Sequence, residues 1–136
     1  MSLAGWIRLS PTAAEVSRFN DWFDRRCAAS DIEKSLAADM KLCINEVLAN
    51  FISYGFKNTA NPSIVVNIWL RPGRAVARIF DNGTYFDFRK WERPAYRDLP
   101  TAEPGGYGIA LIKERASQLC YGRFCGVNRL KIVCEA

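Results

Sequence analysis

The stretch Lys41–Phe56, KLCINEVLANFISYGF, holds a carboxylate and a carboxamide one helical turn apart, Glu46 and Asn50. Residues i and i+4 share a helix face. A glutamate can accept a proton, and an asparagine oxygen can ligate a hard cation. Apolar residues at Leu36, Met40, Cys43, Ile44, Val47, Leu48 and Phe51 make one continuous stripe at helical spacing. Glu46 and Asn50 lie along one margin of it. That margin suits the wall of a cleft, and it equally suits a half-exposed surface pair that does no chemistry.

Two later stretches carry further candidates. Asp81-Asn82-Gly83 closes a strand-like run. Asn-Gly is a strong hairpin signal, while an acidic side chain at a strand end, with a glycine beside it, lets a ligand approach the backbone closely. Gly105-Gly106-Tyr107-Gly108 runs directly into Ile109–Ala116. Glycines opening a helix present backbone N–H groups at the positive end of its dipole, which is an anion site; a flexible hinge accounts for the cluster as well. Neither GxxxxGK[ST] nor a complete GxGxxG is present, so the cluster is not a P-loop or a dinucleotide fingerprint.

The elements that must position these groups can be read in order. Gly5–Leu9 is a short strand. Ser10-Pro11 reads as an N-cap with proline at the first helical position, opening a helix to about Ala29 with Val16, Phe19, Trp22 and Phe23 on its core face. Ser30-Asp31-Ile32-Glu33 has the form of a capping box for the helix that holds Glu46 and Asn50, and that helix stops near Tyr54-Gly55. Ser63–Leu70 and Ala75–Phe80 are strands joined at Arg71-Pro72-Gly73-Arg74, an antiparallel hairpin. Thr84–Pro104 has no period and three prolines, and its length suits a lid or a floppy excursion. Gln118–Phe124 and Arg129–Cys134 read as two last strands joined by Gly126-Val127-Asn128. Helix pair, hairpin, helix, hairpin is an α+β order, with helices layered on one face of a sheet.

Composition sets bounds. The 136 residues, 49% of them hydrophobic, fit a single domain, residues 1–136, with an ordinary core. No apolar run reaches the roughly 20 residues of a membrane span, and MSLAGWIRLS lacks the pattern of a signal peptide, so no membrane contact is expected. Nineteen Lys and Arg against fourteen Asp and Glu leave a net charge of +5. The excess is spread along the chain without a Lys/Arg cluster, so no direct nucleic-acid partner is expected. Five cysteines, an odd number with no CxxC, read as free thiols in a reducing cytoplasm. The chain has no histidine, which excludes a phosphohistidine relay and Ser–His or Cys–His nucleophile pairs.

Taken together, Glu46-x-x-x-Asn50 on a helix, Asp81-x-Gly83 at a strand end and Gly106-x-Gly108 after a lid-like loop stand in an order that resembles the Bergerat-fold ATPases, the superfamily of gyrase, chaperone, mismatch-repair and histidine-kinase ATP-binding domains. NEVLANFISYGF is similar to the family's N box. DNGTYFDF resembles the shortened first glycine box of RsbW-type anti-sigma factors, which are serine-protein kinases, and EPGGYGIALIKERAS resembles their second glycine box. The resemblance runs from about Ile7 to Val133. It implies a two-layer α/β sandwich with a mixed, mostly antiparallel sheet and helices on one face.

It also implies ATP and Mg as cofactors. Asn50 would hold the Mg²⁺ and Glu46 would be the general base. Asp81 would accept the adenine amino group, Gly83 would keep the adenine floor open, and Gly105, Gly106 and Gly108 would offer N–H groups to the phosphates. The implied function is an anti-sigma factor that binds a sigma factor and phosphorylates a STAS-type anti-anti-sigma protein, as a cytoplasmic homodimer. The alternative is a nucleotide-gated binding module without chemistry. Departures from the family pattern are Tyr54 in place of a histidine, Ala49 in place of a threonine, Thr84-Tyr85-Phe86 in place of the first box's second glycine, and the absence of a threonine before the last strand, where Val127-Asn128 lies.

Overall fold

The computed structural model describes residues 3–90 and 105–136, with 105–107 described by backbone alone. In chain order the elements are β1 (Leu3–Leu9), α1 (Ala13–Ala28), α2 (Lys34–Asn50), a π-helical turn (Phe51–Gly55), β2 (Ile64–Arg71), β3 (Arg74–Asp81), α3 (Gly105–Arg115), β4 (Gln118–Phe124) and β5 (Val127–Glu135). Much of the loop expected over Thr84–Pro104 lies outside the described residues. Its first part is anchored: Phe88 is buried and meets Phe51 and Phe86 edge-on, at 6.4 and 4.8 Å between ring centroids.

The five strands form one sheet in the order β1-β2-β3-β5-β4, and every neighbouring pair is antiparallel. The family resemblance implies a mixed, mostly antiparallel sheet; this one is wholly antiparallel. Tight hairpins fix the direction of β2 against β3 and of β4 against β5, and β5 comes back between β3 and β4. Successive side chains on a strand face opposite ways. One face carries Ile7, Leu9, Ile64, Val66, Ile68, Leu70, Ile79, Leu130 and Ile132, all buried. On that side lie the helices, and the α2 stripe of Met40, Cys43, Ile44, Val47 and Leu48 completes the core with Phe19 and Phe23 of α1. Among the described residues no helix is long and apolar enough to cross a membrane.

Both expected caps are displaced. Thr12, not Ser10, caps α1: its hydroxyl accepts from the Glu15 amide at 3.3 Å, and the Glu15 carboxylate accepts from the Ser10 amide at 3.0 Å. Thr12-x-x-Glu15 is the better match to a capping box. The capping box expected at Ser30–Glu33 does not form. The Ser30 hydroxyl closes the end of α1 by donating to the Cys27 carbonyl at 3.0 Å, and Glu33 reaches the turn between β2 and β3, accepting from the Gly73 amide at 3.0 Å. A tertiary partner has outcompeted the local one.

The last hairpin also differs from its expected form. Its turn is Cys125-Gly126, with φ of 50° and 77°, as a two-residue turn with two left-handed positions requires. Val127 and Asn128, expected in the turn, are the first residues of β5. That shift places Asn128 directly opposite Asp81.

Candidate functional site

The α2 helix ends at Asn50, and its last turn widens into the π-helical turn over Phe51–Gly55. Single π turns are rare and recur at functional sites. Here the turn is tied to the end of β3, since the Gly55 carbonyl accepts from the Thr84 amide at 2.9 Å and from its hydroxyl at 3.3 Å. Between them lies a cleft lined by Asn50, Phe51, Tyr54, Asp81, Phe86 and Asn128. The fold thus brings Asn50 and Asp81, 31 residues apart in the chain, to one cleft. Its volume of about 30 Å³ admits only a water or two.

Asp81 is 5% exposed at the end of β3. Its Oδ1 accepts from the Gly83 amide at 2.9 Å and from the Asn128 amide nitrogen at 3.0 Å. Burial pushes the carboxyl above the usual carboxylate range, against the opposing pull of the Asn128 and Gly83 donors and the Arg123 charge. With two donors fixed on one oxygen, the side chain is held in a single orientation.

Sequence pattern alone does not mark Asn128 as a site residue. It is 4% exposed and its bonding is filled on both ends. Its Nδ2 donates to Asp81 and, at 3.0 Å, to the Thr84 carbonyl; its Oδ1 accepts from Arg123 at 2.8 Å and from the Tyr121 hydroxyl. Arg123 also donates to the Gly83 carbonyl at 3.1 Å. The available signal is the Cys125-Gly126 pair as a hairpin turn, which sets the register of β5 and hence the partner of Asp81. Asn128→Ala is expected to take a donor from Asp81 and the Thr84 carbonyl and an acceptor from Arg123 and Tyr121, and to cost about 1–3 kcal/mol of stability, measurable by urea unfolding. A loss below about 0.3 kcal/mol would show the network to be slack.

Gly83 is held small by a close approach. A Cβ there would lie 2.2 Å from the Gly55 carbonyl oxygen and 3.0 Å from Asp81 Oδ1. The atom it meets first is backbone, which cannot swing aside. Gly83→Ala is expected to push the π-helical turn away from β3 and destabilise the fold by about 1–3 kcal/mol; chemical denaturation reads this directly, and an unchanged midpoint would contradict it. The glycine therefore lets β3 and the π-helical turn approach beneath the cleft.

Glu46 lies a turn before Asn50 on α2 and packs on the first turn of α3, which Gly105, Gly106 and Gly108 form together with Tyr107. A Cβ at Gly108 would lie 2.2 Å from Glu46 Oε2 and 3.3 Å from Glu46 Cβ. The glycine lets the carboxylate sit against the start of α3. Of the site residues expected from the sequence, Asn50 and Asp81 line one cleft, Glu46 abuts Gly108, and Gly83 abuts Gly55. Asn50 sets an oxygen donor in the cleft and Asp81 a buried acceptor, the two group types that a hard cation and an amino group require.

Serine/threonine-protein kinase BtrW of Bordetella bronchiseptica is 29% identical over 129 residues, 93% of this chain and 89% of that protein. Among solved structures, the histidine kinase domain from the Erythrobacter litoralis EL346 blue-light activated histidine kinase matches at 16% identity and a TM-score of 0.46, over 90% of this chain. The chain spans 59% of that solved chain. A family model, the histidine kinase-like ATPase domain, matches residues 9–132. With the antiparallel sheet and its helical layer, this match over nearly the whole chain makes it a member of the histidine kinase-like ATPase domain family.

Proposed function

We propose that this chain is an anti-sigma regulatory factor with ATP- and Mg-dependent serine-protein kinase activity, acting as a homodimer in the cytoplasm. It holds a sigma factor and phosphorylates a serine of a STAS-type anti-anti-sigma protein. The observation that carries the reading is the pairing of Glu46 with Gly108 while Asn50, one turn on, faces Asp81. A proton acceptor and a cation ligand then flank one end of a cleft whose other end carries the purine acceptor. The relative named as a serine/threonine-protein kinase supports the same activity.

Phosphoryl transfer depends on positioning and charge neutralisation more than on covalent chemistry by the protein. When bound, Mg²⁺ neutralises phosphate charge; Asn50 is the residue that would hold it. Asp81 accepts the adenine amino group. The backbone N–H groups of Gly105, Gly106 and Gly108, at the start of α3, meet the phosphates. Glu46 takes the proton of the substrate serine as its oxygen bonds to the γ-phosphorus and the bond to the β-phosphate oxygen breaks. The chain has no histidine to accept the group, and in this reading the acceptor is the serine of the STAS-type protein.

The test is incubation with labelled ATP, Mg²⁺ and a cognate STAS protein. Phosphoserine on that protein supports the proposal. Nucleotide-dependent thermal stabilisation with no phosphoprotein would replace it with the non-catalytic binding module.

A further inference from the structure

The period-two alternation of the strands sorts charge as it sorts hydrophobicity. The sheet face turned away from the helices carries Arg8, Arg71, Arg74, Arg78, Arg129 and Lys131, and a single carboxylate, Glu135. That face alone holds a surplus of five positive charges, as large as the net +5 of the whole chain. Cations dispersed through the sequence are thus gathered on one surface. Arg78 stands directly opposite Lys131 in the middle of the sheet, and Arg71 opposite Arg74 at its end. Like charges directly opposed across strands destabilise a sheet. Glu135 relieves Arg74, at 3.0 Å, but among the described residues no carboxylate pairs with Arg78 or Lys131.

Aromatic rings interleave with these cations. Trp6 is 62% exposed and stacks on Phe80, with centroids 6.2 Å apart and planes 23° apart; Phe124 is 81% exposed. The Arg71 guanidinium lies 5.3 Å from the centroid of the Trp69 ring. Five strands at about 4.8 Å spacing make a face about 19 Å across.

We propose that this open sheet face binds single-stranded nucleic acid, independently of the nucleotide cleft and of the kinase reading. Phosphates neutralise Arg78, Lys131 and Arg129, while bases stack on Trp6 and Phe124; a cationic surface set with aromatic platforms is how single strands are held without sequence preference. Two alternatives fit less well. A second copy would bring two faces of like charge together. A segment of carboxylates alone, the case that poly-L-glutamate represents, would satisfy the cations but has no flat π-surface to offer the two exposed rings.

The experiment is fluorescence anisotropy of the full chain with fluorescein-labelled 15-nucleotide oligo(U) and oligo(dT). Single strands release counterions with a slope of about −0.7 per phosphate contact, so four to six contacts predict a loss of affinity of about 50- to 300-fold between 50 and 200 mM salt. Arg78→Gln with Lys131→Gln is expected to weaken binding about tenfold or more and to flatten the salt slope. Trp6→Ala is expected to weaken it about tenfold, and Trp6→Phe to restore most of the loss. These substitutions sit on the solvent side of the sheet, and circular dichroism checks that each variant is folded.

The proposal is supported if binding persists in saturating ATP-Mg and resists a poly-L-glutamate competitor of equal length. It is overturned by any of four results: no binding at 50 mM salt, displacement by ATP-Mg, equal competition by poly-L-glutamate, or no effect of Trp6→Ala and Phe124→Ala. Sedimentation in which the face variants convert a dimer to a monomer, with no oligonucleotide bound by the parent, would assign the face to a second copy and overturn it as well.

Discussion

Glu46→Gln is expected to reduce phosphotransfer to a STAS-type protein by about 10²- to 10⁴-fold, the usual worth of a positioned general base. ATP affinity should change by no more than about threefold. The separation follows from where Glu46 sits. Its carboxylate packs on Gly108 at the start of α3, a turn away from Asn50 and beyond the residues that line the cleft. Glutamine keeps the shape and the contact with α3 but does not accept a proton. Single-turnover transfer, measured beside nucleotide titration, distinguishes the two effects. If affinity fell as much as rate, Glu46 would be a binding group and the assignment of the base would be wrong.

The second large effect is expected at Asp81, where recognition and stability should move in opposite directions. Asp81→Asn removes the negative acceptor from the cleft. A hydrogen bond to a charged group is worth about 1.5–3 kcal/mol, so ATP affinity should fall by about 10- to 150-fold. Stability should not fall with it. Burial raises the Asp81 carboxyl above its ordinary value, so the folded chain holds this proton more tightly than the unfolded chain does. The stability that this contributes is fully present below the unfolded value and is lost as pH rises through the raised one.

Asparagine at this position carries no charge and can still accept from the Gly83 amide through its oxygen. The melting temperature of the variant should therefore equal or exceed that of the parent at pH 7, and the difference should widen as pH is raised from about 3 to 7. A variant that melts well below the parent at neutral pH would mean that the ionised carboxylate is a net support of the fold.

Both positions are legible in the linear pattern of residues. Glu46 and Asn50 are tied together by helix geometry alone, and the apolar stripe from Leu36 to Phe51 announces which side of α2 is buried. Asp81 and Gly83 close an alternating run whose partner strand lies one tight turn upstream. Asn128 is not legible in the same way. Its role depends on pairing across β3 and β5, 47 residues apart, and a two-residue error in locating the last turn removes it from the strand. Glu33 and Ser30 illustrate a related limit: both have the types and spacing of a capping box, but the Gly73 amide and the Cys27 carbonyl took those groups for other bonds.

Local periodicity by itself determined the helices, the hairpins and the chemical types at the site, because each depends on neighbours within one or two turns of the same segment. The tertiary structure decided which of those groups meet: Asn50 with Asp81, Glu46 with Gly108, and Asn128 beneath the carboxylate. It also decided that the sheet is wholly antiparallel and that scattered arginines share one face. Register and strand order are set by packing between distant segments, and a linear pattern carries no record of which distant strand will lie alongside.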